Sequence, residues 1–206
     1  PQTVTYGQKF TLTASQTGDT GTSGKWSWDC NQEYFKLVES NANTKTITLQ
    51  AIKAGTPSKG ITATYESGTH KGSATVNAVV EKKEVTVSGI TAENKEYDGG
   101  TTATVNASGA TITGIVSGDS LTITATGTFA DADVGNGKAV NLTLGALSGA
   151  SAGNYKLAAS GNQTTATANI TAKNVSISAA TVNDKDYDGN ANATVPSVTI
   201  TGVSSA

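Results

Sequence analysis

Apolar and polar residues alternate along much of this chain with a period of two, the spacing that sends successive side chains to opposite faces of a strand. Residues 45–51 (Lys-Thr-Ile-Thr-Leu-Gln-Ala) put Ile47, Leu49 and Ala51 on one face. Residues 120–129 put Leu121, Ile123, Ala125 and Phe129 on one face and Thr122, Thr124 and Thr126 on the other. Residues 139–144 do the same with Val140, Leu142 and Leu144. Such strands bury one side and wet the other, as antiparallel sheets do. Helical spacing is absent, and Gly, Asn, Asp and Ser clusters punctuate the strands. The pattern predicts an all-β fold of tandem β-sandwich-like (immunoglobulin-like) domains in an extended arrangement.

An internal repeat organises the chain. Residues 82–105 (KKEVTVSGITAENKEYDGGTTATV) and 172–195 (AKNVSISAATVNDKDYDGNANATV) align without gaps, placing Tyr97 and Tyr187 ninety residues apart. Solenoid repeats run about 20–45 residues, so this period fits one whole domain per repeat. Three parts are expected: a first β-domain at 1–81, a complete repeat at 82–172 and a partial second repeat at 173–206. The last part is too short to bury a core of its own and is expected to dock, pair along a sheet edge or lack order. The junctions Val79-Val80-Glu81-Lys82-Lys83 and Ile170-Thr171-Ala172-Lys173-Asn174 carry no Pro/Gly/Ser linker, so a semi-rigid chain of domains is expected.

Composition narrows the function classes. Apolar residues make up 36% and charged residues 15%, against about 45–50% and about 25% in ordinary globular domains. Thr, Ala, Ser, Gly and Asn fill the gap. Lys and Arg total 14 against 16 Asp and Glu, and the lysines are scattered. A nucleic-acid partner needs a positive stripe and an anionic membrane needs a cationic cluster; neither partner is expected. No apolar run reaches the ~20 residues that span a bilayer. The sequence starts at Pro1 and has no Met, so it is read as a piece of a longer chain carrying further repeats. The single cysteine, Cys30, excludes an internal disulfide.

The triplet Tyr97-Asp98-Gly99 stands within a longer match. Lys95–Thr102, Val116-Ser117-Gly118-Asp119-Ser120-Leu121, Gly127–Gly135, Leu147–Tyr155 and the closing Ala168-Asn169-Ile170-Thr171 follow in order. This stretch resembles the YDG repeat of bacterial surface proteins, including filamentous-haemagglutinin-like adhesins. The second copy departs after its triplet, where Asn190-Ala191-Asn192 replaces Gly100-Thr101-Thr102. Residues 1–80 resemble a bacterial immunoglobulin-like domain of the kind found in intimin-type adhesins. The likeness rests on Phe10-Thr11-Leu12-Thr13, Trp26-Ser27-Trp28, Ile47–Ala51 with Lys53-Ala54-Gly55-Thr56, and Gly72–Val76. Both resemblances imply an extracellular, bacterial cell-surface location and an adhesion or spacer role without catalytic residues.

Four candidate sites follow from residue types and spacing. Asp184, Asp186 and Asp188 before Gly189 match the start of a calcium loop, whose alternate oxygens converge on a hard cation; no other cofactor is expected. The twelfth position is Val195 where a bidentate Glu belongs, and Asn94, Glu96 and Asp98 stand in the first copy, so a turn is the simpler reading. Asp131 and Asp133 before Gly135 form a second, weaker acidic pair. Trp26, Trp28 and Cys30 share one strand face; with Tyr34 the tryptophans form a candidate glycan platform, against the simpler reading of a sandwich core. Lys95 and Asn169, near opposite ends of the repeat, are the candidate pair for a Lys–Asn isopeptide crosslink, against two ordinary surface residues. His70 sits in Ser67–Gly72, read as a hairpin turn, with no nucleophile elbow to accompany it.

The expected function is therefore a non-catalytic segment of a secreted modular surface protein, an adhesin stalk or cell-adhesion module. The alternatives are a domain binding a glycan or host protein, or an accessory module of a secreted carbohydrate-active enzyme.

Overall fold

The computed structural model describes residues 1–17, 24–39 and 43–203. It is all β: twenty strands and one 3-10 turn, Ala152–Asn154, with no α-helix among the described residues. Among the described residues no helix is long and apolar enough to cross a membrane. The chain forms two compact units, each discontinuous in sequence.

The first unit takes Pro1–Ser88, Thr111–Ile123 and Ala146–Asn162. Strand β1 (Gln2–Thr5) pairs in parallel with β8 (Ala78–Glu81), Gln2 opposite Ala78 and Thr5 opposite Glu81. Strand β2 (Lys9–Thr13) and β4 (Phe35–Glu39) flank β5 (Thr46–Ala51), all antiparallel. Strand β3 (Lys25–Asp29) and β7 (His70–Val76) flank β6 (Ile61–Ser67) in the same way. Ser67 faces His70 across the turn residues Gly68 and Thr69. Gly68 takes φ 59°, a left-handed angle that a two-residue hairpin demands and glycine supplies without strain. The fourth sheet has β9 (Lys83–Ser88) in the middle, β14 (Thr111–Thr113) antiparallel on one side and β17 (Tyr155–Leu157) parallel on the other.

Alternation decides what is buried. Ile47, Leu49 and Ala51 all point into the core of this unit with Val4, Phe35, Ile61 and Val80. Val85, Leu121 and Tyr155 belong to the same cluster. A division between residues 81 and 82 therefore does not separate two cores here.

The second unit takes Gly89–Ala110, Thr124–Gly145 and the chain from Gln163 onward. Strand β10 (Thr91–Ala92) pairs with β13 (Val105–Asn106). A five-stranded sheet runs β11 (Lys95–Glu96), β18 (Thr165–Thr171), β16 (Gly135–Ser148), β15 (Thr122–Phe129), β12 (Thr102–Ala103). Strand β11 meets β18 in parallel. Ala103, Phe129, Val140, Ala168 and Ile170 form the core. Gly127 is buried among them because a Cβ there would lie 2.5 Å from Val105 Cγ1 and 2.9 Å from Val140 Cγ1. A hairpin-like pair, β19 (Ser176–Thr181) with β20 (Ser197–Thr201), completes the strands.

The threonines have a visible use. On the wet faces they pair across strands, as Thr62 with Thr75 at 2.8 Å and Thr11 with Thr48 at 3.2 Å. A β-branched hydroxyl suits this place, since the branch favours the pleat and the oxygen finds a cross-strand partner. Among the described residues, every buried core position is apolar.

Candidate functional site

Strand β3 carries the aromatic candidates. Lys25, Ser27 and Asp29 are exposed while Trp26, Trp28 and Cys30 are half-buried on the other face. Trp28 and Cys30 pack against the core of the first unit, and the Trp28 indole N–H donates to the Thr44 carbonyl at 3.0 Å. Tyr34 packs against the same core, with Lys53 Nζ 5.2 Å from its ring centre. The structure does not assemble Trp26, Trp28 and Tyr34 into one exposed platform, because the indole and phenol bodies of the latter two serve the core. Trp26 instead meets Tyr65, its register partner on β6, with ring centres 5.0 Å apart. These two rings, His70 and Lys71 line an open cleft of 890 Å³. Tyr65 was legible only through the Ile61-Ala63-Tyr65 alternation, which places it on the face that Trp26 shares.

The turns after β11 and in the second copy are built alike. Lys95 Nζ donates to Asp98 Oδ1 at 2.7 Å and to the Gly100 carbonyl at 2.6 Å, while Gly100 N–H donates to Asp98 Oδ1 at 2.8 Å. In the second copy Lys185 Nζ donates to Asp188 Oδ1 at 2.6 Å and to the Asn190 carbonyl at 3.0 Å, and Asn190 N–H donates to Asp188 Oδ1 at 3.1 Å. The middle glycines take φ 81° at Gly99 and 76° at Gly189. The aspartate side chain thus copies a backbone turn, the glycine supplies the left-handed angle, and the lysine closes the loop. The lysine ammonium holds each carboxyl below the usual carboxylate range, helped by the backbone N–H two residues on.

A third arrangement joins distant stretches of the first unit. Val116-Ser117-Gly118-Asp119 is a tight turn, closed by Asp119 N–H on the Val116 carbonyl at 3.0 Å with Gly118 at φ 96°. It presents the Asp119 carboxylate to three hydroxyls. Tyr6 donates to Oδ2 at 2.9 Å, Tyr155 to Oδ2 at 2.5 Å and Ser151 to Oδ1 at 2.8 Å. Tyr155 also accepts from Val116 N–H at 2.9 Å, and its ring meets Tyr6 edge-on at 5.3 Å. Nearby, Asn154 Oδ1 accepts from Ala54 N–H at 2.8 Å. Burial pushes the Asp119 carboxyl up, but hydrogen bonds from Tyr155, Ser151 and Tyr6 outweigh it and hold the group below its ordinary value. Burial, reinforced by the neighbouring carboxylate, raises both phenols. The aspartate, engaged by three hydroxyl donors, and the two phenols together fasten the Val116–Asp119 turn to the start of the chain and to β17.

Residues 81–167 match the YDG domain. No curated protein matches the chain. Within the YDG domain the name-giving triplet is the lysine-clasped turn, and the Ser-Gly-Asp and Gly-Asn-Tyr stretches meet at Asp119 and Tyr155.

The remaining candidate residues are each engaged locally. Asp184, Asp186 and Asp188 do not converge; among the described residues no group of three or more His, Cys, Asp or Glu side chains could hold a metal ion. Asp188 spends its oxygens on Lys185 and Asn190. Asp131 is likewise turned to Lys138 and to the N–H of Asp133. Lys95 and Asn169 lie on the paired strands β11 and β18, but their side chains are engaged separately. Lys95, opposite Ile170, holds its turn and sits 5.7 Å from the Phe129 ring centre. Asn169, one residue before Ile170 and so on the opposite face, accepts from Gly137 N–H at 2.7 Å. The geometry for an amide between them is not present.

Proposed function

We propose that this chain is a non-catalytic, load-bearing segment of a secreted modular bacterial surface protein, acting as an adhesin stalk or cell-adhesion module. The observation that carries this reading is a recurrent pairing of early with late strands in parallel. Strand β1 pairs with β8, β9 with β17 and β11 with β18, all in parallel. Tension that draws the free ends of two parallel strands apart loads all their hydrogen bonds together in shear, whereas an antiparallel hairpin opens one bond at a time. Three such clamps, with apolar cores and lysine-clasped turns, suit a protein that must stay folded under tension outside the cell.

Pulling the intact chain end to end in a single-molecule instrument tests this. Discrete rupture events are expected, and Gln2→Pro, which removes the N–H that Gln2 donates to the Asn77 carbonyl at 2.7 Å, should lower the force of one of them. Smooth extension without discrete ruptures would remove the load-bearing reading.

A second reading, a module that binds a glycan or a host protein, is favoured by the open cleft beside Trp26 and Tyr65. Aromatic faces rimmed by polar groups suit sugar rings. A glycan and host-protein screen with the intact chain and a Trp26→Ala variant separates the two readings: binding lost in the variant favours the module, and no binding leaves the stalk.

A further inference from the structure

The two copies of the repeat share two successive pairings of one strand pair, beyond which the second copy shifts register between Ile177 and Ala179. Thr111-Ile112-Thr113-Gly114 and Thr199-Ile200-Thr201-Gly202 are the same tetrapeptide. In the first copy Ile112 faces Val87 and Thr113 faces Thr86; in the second Ile200 faces Ile177 and Thr201 faces Ser176. The closing glycines repeat as well. Gly114, at φ 99°, would put a Cβ 3.1 Å from the Glu84 carbonyl, and Gly202, at φ 90°, 2.7 Å from the Asn174 carbonyl. Strand β19 with β20 therefore repeats the Thr86–Thr113 and Val87–Ile112 pairings of β9 with β14.

The copies differ on the other side of that pair. Strand β9 has a second neighbour, β17, with Tyr155 opposite Lys83 and Leu157 opposite Val85. Strand β19 has one neighbour, β20, among the described residues. Burial follows: Val85 and Val87 are each 1% exposed, whereas Val175 and Ile177 are 59% and 69% exposed. Beside Val175 the second unit has a cleft of 390 Å³ walled by Tyr97, Val134, Ala172 and Val203. Val203 follows Gly202 as Ile115 follows Gly114, and in the first copy Val85 and Ile115 pack in one cluster with Tyr155 and Leu157.

We propose that residues 173–203 are a strand acceptor, and that the cleft beside Val175 takes the Tyr-Lys-Leu strand of a further YDG repeat, added in parallel along Asn174 and Val175. Main-chain hydrogen bonds along the edge supply affinity, the tyrosine ring fills the cleft and the leucine two residues on covers Val175. The first copy states the chemistry of the occupant: an extended segment with a tyrosine, an exposed residue and an aliphatic. This inference does not depend on the load-bearing reading.

The test uses the intact chain and a synthetic peptide of residues 149–160. Amide hydrogen exchange at 174–177 should slow in a saturable manner with the peptide. Replacing Tyr155 and Leu157 by Ser in the peptide, or Val175→Asp in the protein, should weaken binding by on the order of tenfold or more, since both remove the buried apolar contact. Unchanged exchange at 174–177, equal binding by the Ser-substituted peptide, or binding indifferent to Val175→Asp would overturn the proposal. So would protection of 174–177 in a concentration-dependent dimer without peptide, which would assign the edge to a second copy of the chain.

Discussion

The Tyr155 hydroxyl donates to Asp119 across a separation of 36 residues, and the same oxygen accepts from the Val116 backbone. One phenol thereby ties strand β17 to the turn that bears the carboxylate, and Tyr6 donates to the same Asp119 Oδ2. Tyr155→Phe removes the hydroxyl and keeps the ring. It is expected to lower stability by about 1–3 kcal/mol, the cost of leaving a half-buried donor and acceptor unmatched. In a double-mutant cycle with Asp119→Asn the coupling should be about 0.5–3 kcal/mol, measured by denaturant unfolding.

The same site sets a pH window. Because the Asp119 carboxyl is held below its ordinary value in the folded protein, its contribution is present above the unfolded value of about 3.9 and is lost as pH falls through the folded one. The raised phenols act at the other end: their contribution is present below about 10 and is lost as pH rises beyond it. Thermal unfolding of the native chain should fall off in acid; Asp119→Asn should flatten that acid limb and weaken the alkaline one only in part, since burial, the larger cause of the raised phenols, remains.

The two lysine clasps differ in surroundings. Lys95 is largely covered and lies near the Phe129 ring, whereas Lys185 is more exposed. Lys95→Met is expected to lower the melting temperature by a few degrees, as a change of about 1 kcal/mol does in a domain of this size. Lys185→Met should leave it unchanged.

Glycines near Asp119 give a contrast that needs no ligand. Gly149 holds φ 114° and would set a Cβ 2.6 Å from the Ser120 carbonyl, so Gly149→Ala should cost about 1–3 kcal/mol in strain and displacement. Gly153, four residues on, has nothing within 4 Å of a Cβ, and Gly153→Ala should stay within about 0.5 kcal/mol. Chemical unfolding of both variants checks the pair.

What could be read beforehand was local. Period-two alternation identified Ile47, Leu49, Ala51, Leu121, Ile123, Phe129 and Val140, which are buried, and Ala125, Leu142 and Leu144, which are half-buried. The face shared by Trp26, Trp28 and Cys30, the hairpin before His70 and the YDG turns were legible for the same reason: each is fixed within a few residues. The parallel pairings were not legible, because nothing in a strand's own pattern names its neighbour. The grouping of Val85, Leu121 and Tyr155 with Val4 and Val80 was hidden likewise. Asp119 and Tyr155 stood in stretches already marked by the family resemblance, yet their contact depends on bringing two loops together. Tyr65 was overlooked beside the tryptophans, though its register opposite Trp26 makes the aromatic pair.

The Lys185–Asp188 clasp is finished in a stretch that has little interior to lean on, with Tyr187 98% exposed between its partners. A contact closed over three residues restricts little chain and therefore sets quickly, ahead of any pairing that must wait for remote sequence. A repeat emerging amino end first thus carries its bend already made, and the later strands arrive at a corner whose direction is decided.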